Sequence, residues 1–305
     1  MRIFKVLSIV LLLAAMPVFA DNAFESANAG GVNVAPDPNA PVWDGPRALL
    51  WDNGPLVTSA GTGAGGTDES ILQSTSLGMN ILGFGIQFLS GNSMADDFTV
   101  PAGETWNLTD MTFFGYQSNA PSTGTITGLY VQIYDGQPGA GGSVIWGDLT
   151  TNVLSTTGFS NIYRLSETSP GSTARAIQAI TGTVVTSLTA GTYWVEATFD
   201  GSASFSGPWA PPITIVGTTN TGNALQGLAG VWGPLVDTGT SGTDNFLQGM
   251  PFIVEGTSQG SGGGGGGGGG TGAAAEPIPT LSNSGIVILV LAFIGIAAVL
   301  IRRRM

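Results

Sequence analysis

The stretch that decides the fold runs from residue 192 to residue 199 and reads TYWVEATF. One set of alternate positions holds Tyr193, Val195, Ala197 and Phe199, and the other holds Thr192, Trp194, Glu196 and Thr198. Alternation with a period of two is the pattern of a strand that buries one of its faces. We therefore predict a strand here, with the Val195 set facing the core.

A second stretch, residues 127–134, repeats this pattern. Its core set is predicted to be Thr127, Leu129, Val131 and Ile133, and its outward set Gly128, Tyr130, Gln132 and Tyr134. Between Trp106 and Tyr116 the apolar positions change from even to odd numbers, which predicts a β-bulge near Asp110. Alternate residues from Phe246 to Val254 predict a last strand.

Short strand-like runs of this kind, separated by Gly, Asn, Asp, Ser and Pro clusters, fill residues 47–255. Such a pattern predicts an all-β domain, a β-sandwich of jelly-roll type. One short helix is expected between Ser70 and Met79. The chain contains no Cys, so burial of the core rather than disulfide bonds must hold this domain together.

The regions on either side of this domain are of a different kind. Residues 1–20 carry Arg2 and Lys5, then an apolar run and the end PVFA, which predicts a secretory signal peptide cleaved after Ala20, although Val18 stands where a small residue is usual. Residues 21–46 are rich in Ala, Asn, Gly and Pro without periodicity, and we expect a disordered leader. Residues 256–275 are mostly glycine and predict a flexible linker.

The C-terminal segment 276–305 has the features of a membrane anchor. Its apolar run, residues 286–301, has no charge and no Pro, and as a helix it is about 24 Å long. A spanning helix is predicted, extended by residues 281–285, because a bilayer core is about 30 Å thick. The terminal residues Arg302, Arg303 and Arg304 are expected to stay in the cytoplasm and to leave the rest of the chain outside.

The start of this segment reads Ile278-Pro279-Thr280-Leu281, followed by Gly285, the apolar run and the arginines. It resembles the IPTL-CTERM sorting signal of exported Gram-negative proteins. The family usually has Trp before the glycine, where this chain has Ser284. The resemblance implies secretion machinery and an envelope sorting enzyme as partners, and passage through the inner membrane to the cell surface.

The main domain has a resemblance of its own, to a group of uncharacterised exported bacterial proteins. The shared stretches are residues 52–58 (DNGPLVT), the Gly-rich loop to Gly66, residues 95–101 (ADDFTVP) and residues 191–195 (GTYWV). The resemblance implies a common fold over most of residues 47–255, and it implies no activity or site.

Composition excludes several classes of function. The chain has no His and no Cys, which excludes imidazole-dependent triads, cysteine nucleophiles and ordinary zinc sites. All but one of its 20 acidic residues lie before Gly256, against three arginines between residues 21 and 275. Such a surface repels nucleic acid. The chemistry that stays open to an enzyme is catalysis by a pair of carboxylates. The acids of this chain lie mostly in predicted turns, where Asp usually stabilises the turn itself. We therefore expect a non-catalytic protein without a cofactor.

Two binding constellations are candidates. Outward-facing aromatic rings next to hydrogen-bonding groups are suited to stacking on sugar rings, and the candidate residues are Tyr130, Gln132, Tyr134, Trp194 and Glu196. The alternative is that these rings are ordinary core, and we favour that interpretation. Asp96 and Asp97, with a further turn acid, are weak candidates for a calcium site, against the simpler reading of solvated turn carboxylates.

Taken together, the sequence favours an exported protein, tethered to the membrane or sorted to the surface, with a structural or adhesive role in the envelope or matrix. The alternative is a module that binds exopolysaccharide, and the third is a carboxylate-dependent enzyme acting on polysaccharide.

Overall fold

The computed structural model describes residues 23–260. The signal peptide, the rest of the linker beyond residue 260, the sorting signal and the predicted membrane helix 286–301 lie outside these residues. Among residues 23–260, no helix has the length and apolar character needed to cross a bilayer.

Within these residues the chain is almost entirely β-structure, with two short 3-10 helices at Ala64–Gly66 and Phe88–Ser90. The strands are β1 (Phe24–Ser26), β2 (Leu49–Asp52), β3 (Asp68–Leu72), β4 (Ile81–Gly85), β5 (Asn92–Ser118), β6 (Ile126–Tyr134), β7 (Val144–Asp148), β8 (Leu154–Ser166), β9 (Ala176–Gly201), β10 (Ser206–Ala210), β11 (Leu225–Leu228), β12 (Val231–Pro234), β13 (Val236–Asp237), β14 (Phe246–Leu247) and β15 (Phe252–Gly260).

Two long strands, β5 and β9, organise the fold. They pair antiparallel along nearly their whole length, first between residues 94–100 and 191–197 and then between residues 105–115 and 178–189. The register shifts between these two parts, where Val100 and Thr105 flank the irregularity. The first paired part of β5 and β9 belongs to one layer and the second paired part to another, and the two layers together form a β-sandwich.

The two layers are built outward from these halves. In the first layer, β6 and then β7 lie beside β9, while β11 and then β12 lie beside β5. In the second layer, β15 and then β2 lie beside β5, and β8 and then β3 lie beside β9. β10, β4 and β1 extend from the end of β5, and β13 pairs with β14 separately.

The main core lies between the layers and confirms the predicted alternation. Val195, Ala197 and Phe199 of β9 and Leu129, Val131 and Ile133 of β6 are at most 1% exposed. Aromatic rings from different strands meet there, with the Phe113 and Phe199 ring centroids 6.4 Å apart. Phe98 packs on Phe252 at 6.1 Å. Burial of such large apolar side chains, each typically contributing about 1.5–3 kcal/mol, is what holds this disulfide-free domain together.

The predicted bulge near Asp110 is confirmed. The pairing of β5 with β9 shifts between Leu108 and Asp110, and β15 shifts opposite the same place, between Glu255 and Gly256. Because of this extra residue, both the even-numbered Leu108 and the odd-numbered Met111 reach the core.

Three local predictions were wrong. Thr127 is exposed, because β6 shifts register between Ile126 and Gly128 and Ile126 is buried in its place. The helix expected over Ser70–Met79 is absent from the described chain: β3 covers Asp68–Leu72 and pairs in parallel with β8. The last strand is interrupted, since β14 ends at Leu247 and β15 begins at Phe252.

The predicted disordered leader is also wrong for residues 23–46, which we call the N-terminal segment. Its strand β1 pairs antiparallel with β4. Farther along, the Trp43 amide donates to the Phe159 carbonyl at 2.9 Å, and the Trp43 ring contacts Phe114 edge-on at 5.7 Å. Low apolar content did not prevent ordering, because backbone hydrogen bonds and a few well-placed side chains fix the segment to the sandwich.

The predicted domain boundary at Glu255 lies too early. β15 continues through Gly260 and pairs with residues 104–107 of β5. Backbone pairing needs no apolar side chain, so the first glycine-rich residues of the predicted linker complete a strand. The folded domain therefore spans at least residues 23–260 rather than 47–255.

Candidate functional site

A groove lies on the outer face of the first layer, opposite the main core, and we call it the outer groove. Its volume is about 380 Å³, near the lower end of the range typical of small-ligand sites. It is lined by Phe88, Gly91, Asn92, Ser93, Gln132, Tyr134, Leu149, Glu196, Thr198, Ala229, Gly230 and Trp232. The groove therefore crosses β6, β9 and the start of β5, and it contains three of the five predicted ligand-binding residues.

The strand pattern explains why these side chains meet. Gln132 pairs directly with Glu196 and Tyr134 with Trp194 across the β6–β9 ladder, so all four side chains point to the same face. Their strand neighbours, such as Val131 and Val195, point into the core. The predicted grouping of these residues on one outward face is thus what the fold produces.

Burial separates the predicted aromatic residues. Trp194 is only 7% exposed and packs with Ala95 and Leu225 in a small apolar cluster. Tyr134 and Trp232 are half-buried and lie against this cluster. Trp194 is therefore a support beneath the outer face, as the core interpretation expected, and Tyr134 and Trp232 are the rings that line the groove.

Tyr130 lies outside the residues that line the groove. Its ring stacks on Phe88, with centroids 4.0 Å apart and an interplanar angle of 14°. Phe88 begins the second 3-10 helix and forms one wall of the groove. Tyr130 therefore acts on the groove through Phe88, because it fixes the position of that wall.

The polar centre of the groove is formed by Glu196, Tyr134 and Gln132. The Tyr134 hydroxyl lies 2.5 Å from Glu196 Oε2 and 2.8 Å from Gln132 Oε1. A hydroxyl carries one proton, so these contacts share one donor, and the shorter contact is to the carboxylate. Glu196 is 3% exposed, and its burial raises the pKa of the carboxyl above the usual value.

Tyr134 is correspondingly a weak acid. Burial raises the pKa of its hydroxyl, and the hydrogen bond to Glu196 raises it further, because loss of the proton would place two negative charges together. At neutral pH the phenol therefore stays a donor, and its hydrogen bond fixes the orientation of the Glu196 carboxyl group. This arrangement presents a carboxylate and an amide at fixed positions between aromatic walls.

Hydrogen bonds fix the wall of the groove that is formed by the second 3-10 helix and the start of β5. Thr198 Oγ1 donates to the Asn92 carbonyl at 2.8 Å and contacts the Ile86 carbonyl at 3.1 Å. The side-chain Nδ2 of Asn92 donates to Gln87 Oε1 at 2.8 Å. These bonds fasten the start of β5 and the 3-10 helix to β9, so the groove is formed before any ligand arrives.

Nine of the twelve residues that line the groove were missed by the sequence reasoning, and Phe88, Asn92 and Trp232 are the three whose side chains matter most to the argument. Phe88 belongs to a 3-10 helix without strand periodicity, Asn92 is the first residue of β5, and Trp232 belongs to the short hairpin β11–β12. The sequence did contain a signal for the hairpin that carries Trp232, because Ala229-Gly230 is a turn sequence between two short apolar runs. Nothing local to the sequence places that hairpin beside β5.

Asp96 and Asp97 have structural roles. Asp96 is 2% exposed and its Oδ2 accepts hydrogen bonds from Asn53 Nδ2 and the Met250 amide, both at 2.8 Å. Asp97 accepts from Asn223 Nδ2 at 2.6 Å. Within residues 23–260 no group of three or more acidic side chains is placed to hold a metal ion, so the third ligand that the calcium hypothesis needs is missing there.

The surface charge is more one-sided than the composition alone suggests. Residues 23–260 contain three arginines and no lysine, and two of these arginines are buried. Arg164 donates to backbone carbonyls and hydroxyls in the interior, and Arg175 is bound by Glu25. Arg47 is thus the single exposed basic residue of the described domain.

Comparisons with protein-family models, with curated proteins and with solved structures returned no match for this chain. The features of this chain that bear on its function are the outer groove, the charge of the surface and the sequence of the two ends.

Proposed function

We propose that this protein is an exported, non-catalytic envelope or matrix protein whose β-sandwich adheres to carbohydrate through the outer groove. The observation that carries the proposal is the groove itself: Trp232 and Tyr134 beside the hydrogen-bonding groups of Gln132 and Glu196. Sugar rings offer apolar faces for aromatic stacking and hydroxyl groups for hydrogen bonding, and this lining has partners for both.

This proposal combines two of the functions considered from the sequence: an adhesive or structural role, and carbohydrate binding. A groove whose polar groups are pre-positioned loses little conformational freedom on binding, which favours a recognition role. The third candidate, a carboxylate-pair enzyme, has weaker support. Glu196 has no second carboxyl group among the residues that line the groove, and glycoside hydrolysis requires two.

The proposal also includes export and anchoring, for which the support is the sequence of residues 1–20 and 276–305. Its partners are the secretion machinery, an envelope sorting enzyme and the membrane. We also propose that the strand order of the sandwich is of jelly-roll type. What supports it is that strands distant in the chain are neighbours in each layer, as β5 is beside β9 and β15.

Glycan binding by the purified full-length protein tests the function. Wild-type protein should bind a subset of a polysaccharide array, and Trp232→Ala should reduce that binding about tenfold or more while changing the melting temperature little, since Trp232 is half-buried. Trp51→Ala is the matched control, because Trp51 lies on β2 in the other layer. Loss of binding in both variants, or in neither, would refute the groove as the site.

Mass spectrometry of the protein from native cells tests export. The mature chain should begin at Asp21, and a C-terminus shortened within residues 276–305 would identify processing by a sorting enzyme. An unprocessed N-terminus beginning at Met1 would contradict the proposal.

A further inference from the structure

We propose that the outer groove selects polymers of amino sugars, which carry protonated amino groups, over neutral and anionic polysaccharides. The inference rests on the proposed carbohydrate-binding function and goes further by assigning the charge of the ligand. Three features carry it: a buried carboxylate in the groove, the lack of a cationic partner for that carboxylate, and the sign of the surrounding surface.

The carboxylate is that of Glu196. It lies among the residues that line the groove and is 3% exposed. Tyr134 fixes one of its oxygens by a hydrogen bond at 2.5 Å. A carboxylate that is held in place, and removed from bulk water, attracts a cationic group more strongly than a solvated surface acid does.

No positive charge of the described domain neutralises this carboxylate. In residues 23–260 the ion pair present is the one between Arg175 and Glu25, and the groove is lined by no Lys or Arg. A charge buried without a partner is unfavourable, which is why burial raises the pKa of Glu196. An ammonium group of a bound amino sugar would supply the missing compensation.

The surface around the groove acts in the same direction. Asp148, at the end of β7, precedes the groove residue Leu149, and hydrogen bonds from Thr150 and Thr151 lower the pKa of Asp148 to about 2. This residue is therefore ionised at every physiological pH. With Arg47 as the single exposed cation among residues 23–260, the domain repels uronic-acid or sulfated polymers and attracts polycations.

The walls favour a sugar over other cationic ligands. Phe88, Tyr134 and Trp232 provide aromatic surface, while Asn92, Ser93 and Gln132 provide hydrogen-bonding groups at the same site. Aromatic faces also attract cations directly. A groove of about 380 Å³ accepts a few ring-sized groups rather than a long stretch of chain, so the contacts of one or two residues of the polymer decide the selectivity.

The test compares three probes with the purified full-length chain at pH 6.5: an oligomer of glucosamine, the same oligomer with every amino group acetylated, and an oligomer of galacturonic acid. We expect the glucosamine oligomer to bind at least about tenfold more tightly than the acetylated one, and the uronate not to bind. This preference should weaken as salt is raised from about 50 to 500 mM, because it is electrostatic.

The variant Glu196→Gln should remove the preference, so that the glucosamine oligomer and its acetylated form bind equally. The control Asp44→Asn, which changes an exposed acid of the N-terminal segment, should keep the preference. The salt series on wild-type protein decides the matter if Glu196→Gln does not fold. Equal or tighter binding of the acetylated oligomer refutes this inference alone. No binding of any of the three probes also refutes the inference, and the polysaccharide array with the Trp232→Ala variant then decides the proposed function separately.

Discussion

Replacement of Glu25 by Ala should destabilise the whole sandwich, because this residue fastens the N-terminal segment to the interior. Glu25 is 6% exposed and Arg175 is 3% exposed. Two hydrogen bonds of 2.9 Å join the Glu25 carboxylate to Nε and Nη2 of Arg175. Tyr116 and Ser118 donate to the same carboxylate at 2.8 and 2.6 Å.

The size of the effect follows from what the substitution leaves behind. Burial alone would lower the pKa of Arg175, but its contacts with Glu25 outweigh burial and raise that pKa. Without Glu25 the guanidinium would stay charged and lose its partner. Removal of one member of a buried ion pair typically costs about 3–5 kcal/mol. For a domain of this size that corresponds to a fall in melting temperature of roughly 6–20 °C.

Thermal unfolding followed by circular dichroism measures this loss. Asp44→Ala is the matched control, since it removes an exposed acid from the same segment, and its melting temperature should stay within about 2 °C of wild type. The double variant Glu25→Leu with Arg175→Met should recover most of the loss, because it leaves no unpaired charge.

A fragment of residues 47–260 should melt well below a fragment of residues 23–260, for the same reason. If the shorter fragment or the Glu25→Ala variant melts at the temperature of its reference, the ion pair contributes nothing and the N-terminal segment is dispensable. The original expectation of a domain that folds from residue 47 would then be restored.

Three further predictions concern other sites. Burial raises the pKa of Asp96 from 3.8 to about 6, so the native state binds more protons than the unfolded state between these pH values. The free energy of unfolding should therefore fall by about 2 kcal/mol as pH rises from 4 to 7, and urea titrations should show a smaller fall in Asp96→Asn. Trp194→Ala should cost about 3–5 kcal/mol in a denaturant melt, since the ring is 7% exposed; a loss below about 1 kcal/mol would contradict its supporting role. Replacement of Arg302, Arg303 and Arg304 by Glu should scramble membrane orientation, and protease digestion of a C-terminal tag in intact spheroplasts would reveal it, whereas a tag that stays protected would refute this topology.

The alternation in residues 127–134 and 192–199 was enough to predict which side chains face the main core, except at Thr127, where a register shift changes the phase. It also placed Gln132, Tyr134 and Glu196 on one face, because the side-chain period of a strand is fixed by its backbone. A phase change in the same kind of pattern was enough to locate the bulge near Asp110. Side-chain alternation and its phase change at a bulge depend on neighbouring residues of one strand, so the local sequence is enough to predict them.

What sequence could not supply is the set of contacts between distant segments. The role of Glu25 depends on Arg175, 150 residues away, and the role of Asp96 depends on Asn53 and Met250. Trp232 joins the groove because its hairpin happens to lie beside β5. A Gly-rich end or an Ala-rich beginning looks disordered by composition, but pairing through the backbone is independent of side-chain hydrophobicity.

The long ribbon of β5 and β9 has a consequence for the folding reaction. Its strands are separated by the whole of β6 to β8. On the other side of β5, residues 104–113 pair with β15, which lies at the end of the described chain. Such a fold has a high contact order, so it is expected to form slowly. During export, this part of β5 would present an unpaired edge until residues 252–260 have crossed, which makes late translocation the period of greatest risk of aggregation.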